Sequence, residues 1–163
     1  MIHSFRDAAR TREKQSVDHP NRSDQPTEMS GTKIMFTAVA DKGGNLGPFE
    51  ADTTVVYNKV ITNIGNAYDG TSGIFKAPVA GYYYFTFFYH AGANSKSALK
   101  LMKSDSCIVE AFEKNPGSAD NAGNAAFLQL NENDQVYVRL SPENRIWASG
   151  YTTTFSGFLV SGM

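Results

Sequence analysis

The segment from Tyr82 to Ala91, Tyr-Tyr-Tyr-Phe-Thr-Phe-Phe-Tyr-His-Ala, constrains the chain more than any other stretch. Aromatic and β-branched side chains suit a half-buried pleated surface, so the run reads as a strand. Alternate side chains of a strand face opposite sides. Tyr83, Phe85 and Phe87 therefore share one face, and Tyr82, Tyr84, Thr86 and Phe88 share the other. A sandwich strand with one wet face alternates apolar and polar residues, and this one does not. The end of the chain behaves alike, with Phe155, Gly157 and Leu159 on one side and Phe158 and Val160 on the other. An exposed aromatic face on a soluble monomer is an aggregation liability that association relieves. The second face is expected to meet covering loops or another subunit, and self-association is the preferred reading. Alternation alone does not decide which set faces the core.

Around this strand the chain alternates strands and turns. Ile34 to Ala40, Thr53 to Ile61, Ala98 to Met102, Cys107 to Phe112, Ala125 to Leu130, Gln135 to Leu140 and Thr152 to Val160 are apolar, β-branched or aromatic. The separators are rich in Asn, Gly, Pro, Ser and Asp, the residues that close turns. Many short strands without a convincing amphipathic helix imply an all-β sandwich or jelly roll. A chain of 163 residues suits one well-cored domain. Residues 1–31 differ from the rest: charges of both signs are interspersed and apolar residues are scarce, so a disordered or weakly helical leader is expected. Ser4 and Asp7 could cap a short helix reaching Lys14, ended by Pro20 and Pro26. Asn21-Arg22-Ser23 is a glycosylation sequon, relevant only to a secreted chain.

Several function classes find no support. A net charge of −1 supplies no basic footprint for nucleic acid. No apolar run reaches the ~18 residues of a membrane span. His3, His19 and His90 have no metal-ligand spacing, and Cys107 is the sole cysteine, which rules out an intrachain disulfide. Such a cysteine on an apolar strand is expected to be a small buried hydrophobe, with an intermolecular bridge as the alternative. Nothing in the sequence pairs Cys107 with His90 as nucleophile and base, so no catalytic residue is assigned. Asn131-Glu132-Asn133-Asp134 is oxygen-rich but also reads as a plain turn. No metal or cofactor is assigned, and calcium is left without support.

A family resemblance rests on a block of spaced aromatics. Tyr57 is followed by Asn63, Tyr68 and Phe75, and the block closes with Gly81, Tyr83, Phe85 and Phe87. This spacing resembles the signature of the complement C1q globular-head family, with Tyr57 where that family usually carries Phe. Thr154-Phe155-Ser156-Gly157-Phe158-Leu159-Val160 resembles the last strand of these heads, especially in the cerebellin branch. Gly47-Pro48-Phe49 and Ala77-Pro78-Val79-Ala80-Gly81 also fall in the family's order. The resemblance covers nearly all of residues 32–163, which defines the expected C1q-like globular domain.

The resemblance implies a ten-stranded jelly roll of the tumour necrosis factor type. It also implies a compact homotrimer or a heterotrimer with related chains, secreted and non-enzymatic. Tyr82, Tyr84, Phe88 and Phe158 are the expected trimer contacts. The first residues lack the apolar region of a signal peptide, so a longer or alternative native start is expected. The expected role is recognition of repeated microbial or cell-surface ligands, of the innate-immune or lectin-like kind. The alternative is a cerebellin-like or adipokine-like ligand for one cell-surface receptor. Candidate binding loops are Asp41 to Asn45, Ala93 to Lys96, Asn115 to Asn124 and Pro142 to Tyr151, with Arg145, Trp147 and Tyr151 as candidate ligand contacts.

Overall fold

The computed structural model describes residues 31–114 and 117–163. Apart from Gly31, the leader expected over residues 1–31, with its short helix and sequon, lies outside them. The described residues form thirteen strands: β1 (Met35–Val39), β2 (Gly44–Leu46), β3 (Thr53–Thr54), β4 (Lys59–Ile64), β5 (Tyr68–Asp69), β6 (Ile74–Lys76), β7 (Gly81–Ala91), β8 (Ser97–Lys103), β9 (Ser106–Glu113), β10 (Asp120–Leu130), β11 (Gln135–Leu140), β12 (Ile146–Ala148) and β13 (Thr154–Gly162). Every pairing is antiparallel. One sheet runs β2-β12-β7-β13-β1-β4, with β10 also paired to β7; the other runs β5-β6-β11-β8-β9, with β3 on β11.

The core lies between the two sheets. Phe36, Tyr83, Phe85, Phe87 and Phe155 reach in from the first, and Phe75, Leu99, Leu101, Val136 and Val138 from the second, all essentially without solvent contact. Aromatic rings dominate the layer. Phe36 stacks on Tyr68 at a centroid separation of 4.6 Å, and Phe155 meets Phe36 edge-on at 4.9 Å. Phe75 bridges to Phe85 at 5.1 Å and to Tyr83 at 5.6 Å. Such offset and edge-on pairs add to the free energy of burial itself.

Gly157 makes this packing feasible. A Cβ there would stand 2.4 Å from Cδ1 of Phe85 and 2.9 Å from Cε1 of Phe36. Both rings lie against bare backbone. Asn63 acts on the backbone instead. Its amide donates to the Tyr68 carbonyl at 2.8 Å and its oxygen accepts from the Tyr68 amide at 3.2 Å. This side chain closes the turn that delivers Tyr68 to the core. Gly81 opens β7, paired with Gly162 and Leu130.

The structure departs from the sequence expectations in several ways. The described residues form thirteen strands rather than ten, because short segments pair at the sheet edges. The loops expected over Asp41 to Asn45 and Pro142 to Tyr151 include strand residues of β2 and the whole of β12. The run Thr53 to Ile61 is not one strand: Thr53–Thr54 pairs with β11, whereas Lys59–Ile64 pairs with β1 in the opposite sheet. Between them Val55 and Tyr57 are buried, so the chain turns a corner between layers while filling the core. The expected loop up to Asn124 is strand from Asp120 onward, because β7 extends to Ala91 and pairs with it there. Cys107 is exposed rather than buried, since it stands near the tip of the β8–β9 hairpin at the sheet's edge.

Two outcomes follow. Gly157→Ala forces two core rings to move and should destabilise the fold by about 1–3 kcal/mol in urea unfolding. Tyr57→Phe should do the opposite. The Tyr57 hydroxyl is buried without a hydrogen-bond partner, and burial, with Tyr68 adding to it, holds its pKa well above the usual tyrosine value. Removing that hydroxyl should stabilise by roughly 1 kcal/mol, raising Tm by about 3 °C in a thermal melt.

Candidate functional site

The outward face of the β7 sheet is organised in rows, because residues paired across antiparallel strands stand side by side on one face. The row through Tyr84 runs Ile64 (β4), Met35 (β1), Phe158 (β13), Tyr84 (β7) and Phe127 (β10). All five are apolar or aromatic. Phe127 is 71% exposed and Phe158 43%, and the Tyr84 ring lies 4.8 Å from one and 5.6 Å from the other. The adjoining row is Thr62, Thr37, Ser156, Thr86 and Ala125, where Thr37 and Ser156 share a 3.0 Å hydroxyl contact. Tyr82 flanks the apolar row on its other side, paired with Gln129 and Ser161.

All four expected contact residues, Tyr82, Tyr84, Phe88 and Phe158, thus point away from the core. Tyr83, Phe85 and Phe87 point into it. Phe88 lies two rows from Tyr84, and its ring crosses the backbone of Gly123, where a Cβ would stand 2.3 Å away. Sequence reasoning missed Met35, Ile64 and Phe127. Phe127 sits among apolar neighbours on its own strand, and only its register with Tyr84 places it in this row.

Farther along β7 the same face becomes polar. His90 is paired with Trp147 of β12 on one side and Asn121 of β10 on the other, and Trp147 with Asn45 of β2. Trp147 is 38% exposed, flanked by the buried Ile146 and Ala148. The His90 Nδ1 and Asn121 Oδ1 lie 2.9 Å apart. The buried Thr153 hydroxyl donates to the Trp147 carbonyl at 2.6 Å and accepts from the His90 amide at 3.3 Å, splicing the short β12 onto β7.

The three expected ligand contacts do not converge. The Arg145 guanidinium donates to Ser95 Oγ at 2.5 and 3.1 Å, beside a cleft of about 200 Å³ shared with Pro48, Asn94, Lys96 and Glu143. The Tyr151 phenol instead accepts from Lys59, whose ammonium also sits 4.1 Å from the Tyr151 ring centroid and 3.8 Å from Asp41. Only Trp147 belongs to the sheet face. Another cleft, about 510 Å³, opens where Lys96 and Lys114 alternate with Glu110 around Phe112 and presents no single sign of charge. Cys107 and His90 lie on different sheets and form no nucleophile–base pair. Among the described residues, no three His, Cys, Asp or Glu side chains gather as a metal ion would require.

The C1q domain family model matches residues 35–160. The chain is a member of the C1q domain family. It is 33% identical over 132 residues to zebrafish (Danio rerio) Caprin-2, covering 79% of this chain and 14% of that protein. It is 32% identical over 110 residues to mouse (Mus musculus) complement C1q tumor necrosis factor-related protein 2, covering 65% of this chain and 37% of that protein. The chain therefore spans well under half the length of these relatives. The globular domain of zebrafish complement 1qA superposes with a TM-score of 0.66 at 19% identity, over 80% of this chain and all of that one. The C1q domain is accordingly a jelly roll of the kind shared with tumour necrosis factor heads. Among the described residues of this C1q head, no helix is long and apolar enough to cross a membrane.

Proposed function

We propose that this C1q head acts as an extracellular, non-enzymatic recognition module that assembles as a trimer and binds repeated ligands on a surface. The observation that carries the reading is the row Ile64–Met35–Phe158–Tyr84–Phe127, continuous across five strands and open to solvent. Four strand spacings make it about 19 Å wide. A soluble chain gains by covering such a row, and burial removes apolar area from water at about 25 cal/mol per Å². Closed symmetry limits the assembly, so the row meets a copy of this chain or a closely related one without growing into a filament.

Three linked copies change the binding problem. Contacts too weak to hold singly act together when a ligand presents repeated sites, through the high effective concentration of the second and third copies. A rigid β scaffold that displays its contacts on strands and short turns serves that purpose.

Light scattering on the purified chain should give three times the chain mass, with and without a chelator. Phe127→Asp combined with Phe158→Asp should weaken association at least about a hundredfold, ~3 kcal/mol, while the far-ultraviolet circular dichroism remains that of a β protein. A monomeric wild-type chain would sink the assembly. Saturable binding to a single receptor protein, with none to polysaccharide or microbial surfaces, would replace repeated-ligand recognition by receptor signalling.

A further inference from the structure

We infer that the row Asn45–Trp147–His90–Asn121 is a binding platform for a short neutral oligosaccharide. The inference deepens the recognition reading above and rests on it for multivalency alone.

The four side chains lie in register on adjacent strands β2, β12, β7 and β10, facing outward. Three strand spacings make the row about 14 Å long, room for several linked sugars rather than one. Its chemistry is specific in two ways. The partly exposed indole of Trp147 offers a flat apolar surface with a single N–H donor. Sugar rings present C–H groups on one face, and such a surface covers them. On either side stand two amides and an imidazole, side chains with hydrogen-bonding atoms to meet sugar hydroxyls. The row itself holds no Lys, Arg, Asp or Glu. A ligand whose affinity rests on phosphate or sulfate would find no counter-charge in it.

The row is also built in advance. The Asn121–His90 contact fixes two of the four side chains, and Thr153 ties the Trp147 carbonyl to the His90 amide. A site on paired strands loses little freedom on binding, which matters for ligands held by few contacts. His90 lies six positions beyond Tyr84 on β7, about 20 Å away, and one row beyond Phe88, so an assembly confined to the Tyr84 row would leave this end of the face open. The groups of this row are mostly polar, unlike those of the Tyr84 row.

Trp147 is the only tryptophan of the chain, so its fluorescence reads this site directly. The full chain would be titrated with mannotriose, with laminaritriose and with dextran sulfate as an anionic probe. A saturable change with one of the neutral trisaccharides is expected, at a Kd of roughly 1 mM. Asn45→Ala and Asn121→Ala, both at exposed positions, should each weaken it about fivefold. The Phe127→Asp/Phe158→Asp chain should keep the trisaccharide Kd and lose its tighter binding to immobilised mannan or glucan. No response to either trisaccharide or its polymer from a chain of trimeric mass overturns the platform and leaves the assembly standing. Titrations unmoved by the two Asn substitutions, or a response to dextran sulfate alone, overturn it equally. A monomer that still binds a trisaccharide through these residues upholds the platform and sinks multivalency instead.

Discussion

Strand β7 is hydrogen-bonded along both edges and carries aromatic side chains on both faces, and the other elements are arranged to suit it. On one edge β10 pairs with it from Gly81 to Ala91; on the other β13 and then β12 follow one another along its length. Its inward side chains Tyr83, Phe85, Phe87 and Tyr89 form a spine of the core. Because Phe85 lies against Gly157 of its neighbour, sliding β13 by one residue would drive a side chain into that ring. Core packing therefore fixes the register, and the register fixes what appears on the outside.

That outward pattern is a sequence of rows with different chemistry. The apolar Tyr84 row is followed by the hydroxyl row through Thr86, then by Phe88 beside Thr154, then by the amide and imidazole row through His90. The hydroxyl row matters to the separation of roles. Thr37 and Ser156 satisfy each other, so covering these two hydroxyls would strand neither of them. One strand thus carries two chemistries that do not compete for the same residues.

How far this was legible in the sequence depends on range. Alternation along Tyr82 to Ala91 separated the buried set from the outward set and implied that both were apolar, since a period of two is a property of one strand. Burial then decided which set was the core, and that needed the opposite sheet. Thr53 to Ile61 misled for a related reason. A β-branched run does not show where the chain leaves one layer for the other, because Val55 and Tyr57 are equally apolar in a strand and at a corner. Phe127 was silent because its significance lies in facing Tyr84, a partner forty-three positions away in the chain. Arg145, Trp147 and Tyr151 looked like a cluster because they are close in sequence. In space the first turns to Ser95 and the last to Lys59.

Trp147 owes its place to a residue that sequence reading passed over. Strand β12 is three residues long, pairs along its length with the equally short β2, and joins β7 at a single register pair. Thr153 supplies a further connection. Fully buried, it bonds to backbone groups of both strands and so ties down the backbone from which the indole projects. A short strand spliced in this way carries Trp147 on its outer face while Ile146 and Ala148 keep its inner face in the core. The buried residues that hold the fold and the exposed indole then alternate within the same three-residue segment.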